Sequence, residues 1–359
     1  MKKIGRQVLF LETKAGNPRN GEGSFLRIDE NTIMYAYSKY EGNNWTDHCP
    51  ADICAIYSYD EGETWKDERL LVKHDSTNVM SASLLRFANG NIGLFYLRKE
   101  NETCSCLLYL IRSSDNGKTW SEPMRCINED KYFVTNNDRV VKLKSGRILF
   151  PANLHPFNEE TPPTPGKFDI SRVAKFNVFA SNDDGYTWYK LAENIESPEK
   201  ESRTGLQESG FYQRETGEII AWSRTDMGFQ YECISYDDGK TWTPPHPKKF
   251  FTSPASPMSM KKVCGKVIAV FNPIPAYTTR ENLNKRTWGR TPYVCAVSED
   301  DGNSFDKVFC LEDDETNGYC YAAIFDGGNY FLLAYYHSNN GEGCLNSNKI
   351  VKILREELE

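Results

Sequence analysis

Five aspartates recur in the same company. Asp60, Asp115, Asp183, Asp237 and Asp300 each sit two residues after a serine and two before a glycine. The clearest copy reads SYDDGKTW, from Ser235 to Trp242. Three more also end in Thr-Trp, and the fifth is worn to Ser304-Phe305. The leading serines, Ser58, Ser113, Ser181, Ser235 and Ser298, are spaced by 55, 68, 54 and 63 residues. A carboxylate can carry a proton or attack a carbon, so five of them invite a catalytic reading. The repetition argues against it, because no reaction needs the same group five times. The Ser and Asp side chains can instead bind local backbone amides, while the Gly supplies a backbone conformation other residues avoid. The Trp brings a large apolar area to wedge such a turn in place. The box therefore reads as a fastening for a repeated unit, and the residues that do chemistry must lie beside it.

The elements that position them repeat as well. Each unit has two apolar strands around a tight hairpin, then another apolar strand, then the box. The first runs FLRIDENTIMYAYSKY, DICAIYS, and the second SLLRFANGNIGLFYLRK, CLLYLIRS. RVVKLKSGRILFPANL, SGFYQRETGEIIAWSRT and SMKKVCGKVIAVFNPI open the next three, and AAIFDGGNYFLLAYYH opens a sixth without a box. Gly or Asn at the hairpins between apolar strands is a hairpin signature. Repeats of this period imply stacked or radial units. Six units of about four strands imply an all-β six-bladed β-propeller, with residues 1–359 as one domain. RQVLFL near the N-terminus is suited to complete the last unit and close the ring, which limits exposed edges. The only helical pattern is a short end at REELE. Two longer loops, 159–169 and 277–290, project as insertions.

Composition narrows the function. Aromatics make up 13% of the chain, which suits many short half-buried strands. No apolar run approaches the ~18 residues that span a bilayer, and the N-terminus lacks a signal-peptide core. These features point to a cytoplasmic protein with no membrane partner. The eleven cysteines are scattered and odd in number, which suits reduced thiols rather than a disulfide framework. No His/Asp cluster has metal-ligand spacing, so no metal and no cofactor is expected. The net charge of −7 and the absence of a basic patch exclude nucleic acid. An anionic ligand would have to be captured by a local group of arginines.

Five such boxes in a six-unit repeat resemble the sialidase (neuraminidase) superfamily of BNR/Asp-box proteins, over nearly the whole chain. The resemblance implies an exo-glycosidase acting on sialic acid or a related 2-keto-acid sugar. Such a sugar carries a carboxylate, which guanidinium groups bind bidentately. A neutral Tyr nucleophile, deprotonated by a Glu, avoids repulsion by that carboxylate. In TDHCPADICAIYS, Asp47 takes the place of the acid/base and Asp52 that of a strand-opening Asp at the site. LQESGFYQRETGEIIAWSRTD places Glu208 as base for the nucleophile and Arg224 in the carboxylate clamp. Arg290, ahead of the fifth box, takes the place of another clamp arginine. The superfamily's Arg-Ile-Pro is missing; Arg19 is preferred to Arg27 for the first clamp position, with Glu22 as a neighbour. NGYCYAAIFDGG offers Tyr321 as nucleophile, with Tyr319 as its competitor, expected to point the same way. Arg139 is a further anion contact or a structural ion pair. Ser81 stands where many relatives have an acidic residue. Two alternatives remain open: a hydrolase or lyase for uronic-acid-type sugars, and a glycan-binding propeller without catalysis.

Overall fold

Each sequence unit folds into antiparallel strands, seen in a computed structural model that describes residues 1–100, 105–157, 170–275, 287–338 and 343–359. The insertion 159–169, most of the loop 277–290, Arg280, Arg286 and Cys104 lie outside the described residues. Among the described residues the chain is all-β apart from 3₁₀ backbone at Thr287 and the 3₁₀ turn Arg355–Leu358. The first unit forms a four-stranded sheet of Asn20–Arg27, Ile33–Tyr40, Ala51–Ser58 and Lys66–Val72, in that order. The fourth and fifth units form similar sheets, opening with Gln207–Gln213 and Ser259–Val263. In the last sheet Tyr319–Asp326, Tyr330–His337 and Ser347–Leu354 are followed by the N-terminal strand Arg6–Leu11, as the sequence led us to expect. The second and third units differ. They share one nine-stranded sheet, because the short strand Tyr132–Val134 pairs in parallel with Cys106–Ser113 and antiparallel with Ile148–His155.

The first strands of neighbouring units meet. Asn20–Arg27 packs against Asn78–Arg86 on one side and against Tyr319–Asp326, from the last unit, on the other. Hydrogen bonds link them: Leu84 N–H donates to Ser24 Oγ at 3.1 Å, and Ser259 Oγ donates to the Ala322 carbonyl at 2.6 Å. Burial follows from this. Ala51–Ser58 is buried along its whole length, which is why it reads as a continuous apolar run, whereas the outer strand Lys66–Val72 is largely exposed and charged.

The five boxes form one hydrogen-bonded turn repeated. Each Ser Oγ donates to its Asp Oδ1 at 2.7–2.9 Å and accepts from the Gly amide at 2.8–2.9 Å. The other Asp oxygen accepts from the Thr hydroxyl, or from Ser304 in the worn copy. The box glycines, such as Gly239 at φ 86°, take the left-handed backbone that a side chain disfavours.

A second repeated feature aims side chains inward. A β-bulge shifts the register of the first strand in the first, second, fourth and last units. At each bulge one non-glycine residue has left-handed φ: Glu22 (52°), Ser81 (58°), Glu208 (51°) and Tyr321 (60°). Such strained, re-aimed positions cluster at functional sites.

Candidate active site

Two of those four bulges, 113 residues apart in sequence, bring Glu208 and Tyr321 into contact. Tyr321 OH donates to Glu208 Oε1 at 2.5 Å. The Arg224 guanidinium, at the end of the strand paired with that of Glu208, reaches the same oxygen at 2.8 Å. Glu208 Oε2 is buried without a partner. Arg290 packs its guanidinium 5.5 Å from the Tyr321 ring and 4.9 Å from the Trp288 ring. These groups wall a cavity of about 630 Å³, with Asp47 on one side and Arg172, Arg203, Thr204 and Asp226 on another.

Arg290 is buried without a carboxylate partner among the described residues. It is 3% exposed, and its polar partners are the Cys320 sulfur at 3.2 Å and the Ala255 carbonyl at 3.2 Å. No carboxylate among the described residues pairs with it, and its Nε has no partner. A guanidinium at the wall of a cavity can bind a carboxylate through two parallel hydrogen bonds.

Arg19 lies one layer behind. It is fully buried and held by Tyr336 OH at 2.7 Å, the Trp45 carbonyl at 3.1 Å, Asp47 Oδ1 at 2.6 Å and the Glu22 carboxylate. Its fork therefore faces Asp47 and Glu22 rather than the cavity, and as a clamp arginine it departs from the expectation. Glu22 also accepts from Ser81 Oγ, so the other pair of bulges meets here. The Asp47 loop is fixed from beneath, where its carbonyl accepts from Asn78 Nδ2 at 2.5 Å and from the Lys99 ammonium.

The proton positions follow from these neighbours. Burial pushes the Tyr321 hydroxyl well above its ordinary value, and Glu208 adds to the shift against the pull of Arg290 and Arg224. Burial opposes the charge on Glu208 too, but Arg224 and Arg290 outweigh it and hold the carboxyl below its usual value. The proton therefore sits on Tyr321, and Glu208 is a ready acceptor. Asp47 is half-exposed, with 53% of its side chain accessible. Burial resists its ionisation, but Arg19 and Lys99 prevail and hold it well below the carboxylate range. Burial and Lys99 push the neighbouring His48 down to about 4, so it is neutral near pH 7.

Besides Arg19, three expected site residues are not on the cavity. Asp52 lies in the third strand of its sheet, away from the first strands that meet. Its carboxylate accepts from Lys73 Nζ at 2.9 Å and the His74 amide at 2.9 Å, and contacts His74 Nδ1 at 2.6 Å. Arg139 is buried between units, donating to the Met258 carbonyl at 2.7 Å and Ser259 Oγ at 3.2 Å. Tyr319 does not share the direction of Tyr321, because the bulge breaks the two-residue alternation between them. Its ring packs in the core against Tyr293 and His337. Sequence reasoning passed over Trp288, Asp226 and Arg203. The first two lie two residues from Arg290 and Arg224, a proximity that could have found them.

The comparisons agree with this architecture. The family profile described as BNR repeat-like domain matches residues 51–333. A sialidase of Bacteroides fragilis is 26% identical over 231 residues, which are 60% of this chain but 37% of that protein. The chain thus spans well under half of that curated relative. A protein of unknown function from Dyadobacter fermentans superposes with a TM-score of 0.73 at 17% identity, covering 98% of this chain and 99% of that one. The NanB sialidase of Streptococcus pneumoniae also gives 0.73, at 12% identity, over 99% of this chain and 71% of that one. At these identities the two structures speak for the fold alone.

Proposed function

The chain belongs to the BNR-repeat family of sialidase-like proteins, and from that premise we propose that it is a retaining exo-glycosidase for sialic acid or a related 2-keto-acid sugar. The observation that carries this reading is the Tyr321–Glu208 hydrogen bond in a cavity walled by Arg224 and the buried Arg290. The named sialidase relatives support it. We read the five sheets as six blades, counting the nine-stranded sheet as two, in a single domain of residues 1–359.

Arg224 and Arg290 receive the sugar carboxylate. Glu208 takes the hydroxyl proton of Tyr321 as its oxygen attacks the anomeric carbon, so no anionic nucleophile has to approach the carboxylate. Asp47 protonates the departing glycosidic oxygen. It later accepts a proton from water, which attacks the same carbon and releases Tyr321. Two inversions give net retention. Arg19 sets the readiness of Asp47 and comes within reach of the substrate only when Asp47 turns away.

A fluorogenic sialoside tests the reading. Purified protein should release the fluorophore, and Tyr321→Phe should abolish release. Full activity in that variant would move the nucleophile elsewhere. One observation favours a second reading, glycan binding without turnover: Asp47 is clasped by Arg19 and held ionised. Saturable sialoside binding with no release would favour it.

A further inference from the structure

A pair of thiols sits behind Arg290. Cys320 Sγ is 3.6 Å from Cys344 Sγ, and Arg290 Nη1 donates to Cys320 Sγ at 3.2 Å. Among the described residues no other two cysteine sulfurs are within hydrogen-bond distance. Both neighbours of the pair reach the cavity: Cys320 precedes Tyr321, and Cys344 precedes Leu345. Both sulfurs are buried, in one cluster with Tyr321, Tyr336 and Leu345.

We infer that Cys320 and Cys344 are a modification site, a dithiol that hydrogen peroxide converts reversibly to a disulfide in the wall of the cavity. In the first step the Cys344 sulfur attacks one peroxide oxygen, the O–O bond breaks and hydroxide leaves, to be protonated to water. In the second, the Cys320 sulfur displaces the hydroxyl of the resulting sulfenic acid, again as water. Two thiols and one peroxide give one disulfide and two waters, and the two electrons pass from sulfur to oxygen. A thiol such as glutathione restores the pair.

The surroundings favour this chemistry at Cys344. Thiolate attack is promoted beside a cation. Burial opposes ionisation of Cys344, yet the hydrogen bond with Cys320 and the Arg290 charge hold it below the usual thiol value. Burial alone lifts Cys295 to about 12, and it lifts Cys106 to about 12 against a weaker pull from Lys99. Peroxide is close to water in size, and the cavity carries it as far as Arg290 and Leu345. Closing a bond of about 2.05 Å draws the sulfurs together and takes Cys320 off Arg290. Displacements near 1 Å at reacting groups cost up to about a hundredfold in rate, so oxidation should lower turnover by about ten- to a hundredfold.

Chymotryptic peptide mapping after a brief peroxide treatment tests the site without any assay of activity. A linked Cys320–Cys344 peptide, lighter by two hydrogens, reversed by dithiothreitol and absent from Cys344→Ala and Cys344→Ser, is the expected result. Peroxide that modifies Cys49 first, while Cys320 and Cys344 remain alkylatable after denaturation, would overturn it. The linked peptide without any change in sialoside turnover, in protein that turns the sialoside over when reduced, would overturn the proposed effect on the cavity. In protein with no turnover at all, the map still decides the site.

Discussion

In the proposed mechanism Tyr321 and Glu208 carry the chemistry in opposite protonation states, and this fixes what their variants should do. Glu208→Gln removes the proton acceptor and should lower kcat by about 10²–10⁴-fold with little change in fold. The pH profile separates free and occupied enzyme. Asp47 has a depressed pKa in the free site, so kcat/KM should fall as pH rises through that low value. A substrate carboxylate held on Arg224 and Arg290 near Asp47 repels its charge and lets the Asp47 pKa rise, so kcat should persist to higher pH. Alkaline limbs that coincide in the two profiles would contradict this role for Asp47. Arg19 is a matter of stability as well. Arg19→Met leaves the buried Glu22 without its ion partner, and thermal or urea unfolding should show a loss of about 3–5 kcal/mol. At this scale the sequence was legible where a residue could be placed by counting from a box: Arg224 and Arg290 stand eleven and eight residues ahead of theirs. It was not legible for Tyr319 or Arg19. The direction of each depends on backbone geometry or on a distant partner that residue spacing does not encode.

Among the elements, the bulge does more for the site than the box. Ser81, Glu208 and Tyr321 precede their hairpin glycines Gly90, Gly217 and Gly328 by similar intervals, a signal that reading for hairpins alone did not use. Gly23, within the first bulge, marks how close the packing is there. A Cβ on it would lie 2.4 Å from the Ala36 carbonyl and 2.5 Å from the Tyr35 ring. Gly23→Ala should therefore destabilise by about 1–3 kcal/mol and lower activity through the displacement of Glu22 and Arg19. Gly90 is open on all sides and left-handed, and Gly90→Ala should be milder and leave activity intact. The boxes predict an acid limit. Hydrogen bonds from Thr119 and Ser113 hold Asp115 at about 2, and those from Ser304 and Ser298 do the same for Asp300. A depressed carboxylate stabilises the fold above its unfolded value of about 3.9, and that stability is lost as pH falls toward 2. Circular dichroism should accordingly show acid unfolding between about pH 4 and 2.

For the whole molecule, the return of the N-terminal strand to the last sheet was readable from hairpins and apolar runs. The merging of the second and third units into one sheet was not. It rests on Tyr132–Val134, whose single parallel pairing with Cys106 has no hairpin signature. Removal of residues 1–11 should lower the melting temperature and promote aggregation, because it strips Arg6–Leu11 from Ser347–Leu354 and leaves a bare edge. An unchanged melting temperature would show that the fold does not depend on that strand. The overall charge of −7 repels an anionic sugar at a distance. In the proposed function, affinity for such a sugar comes from Arg224 and Arg290 at contact range.

The nucleophile can be caught directly. Incubation with a 2,3-difluorinated sialic acid, whose fluorines slow breakdown of a glycosyl-enzyme, followed by peptide mass mapping, should find the sugar bonded to Tyr321 and no label on Tyr321→Phe. A label on any other residue, or turnover of a sialoside by protein that forms no adduct at Tyr321, would contradict it.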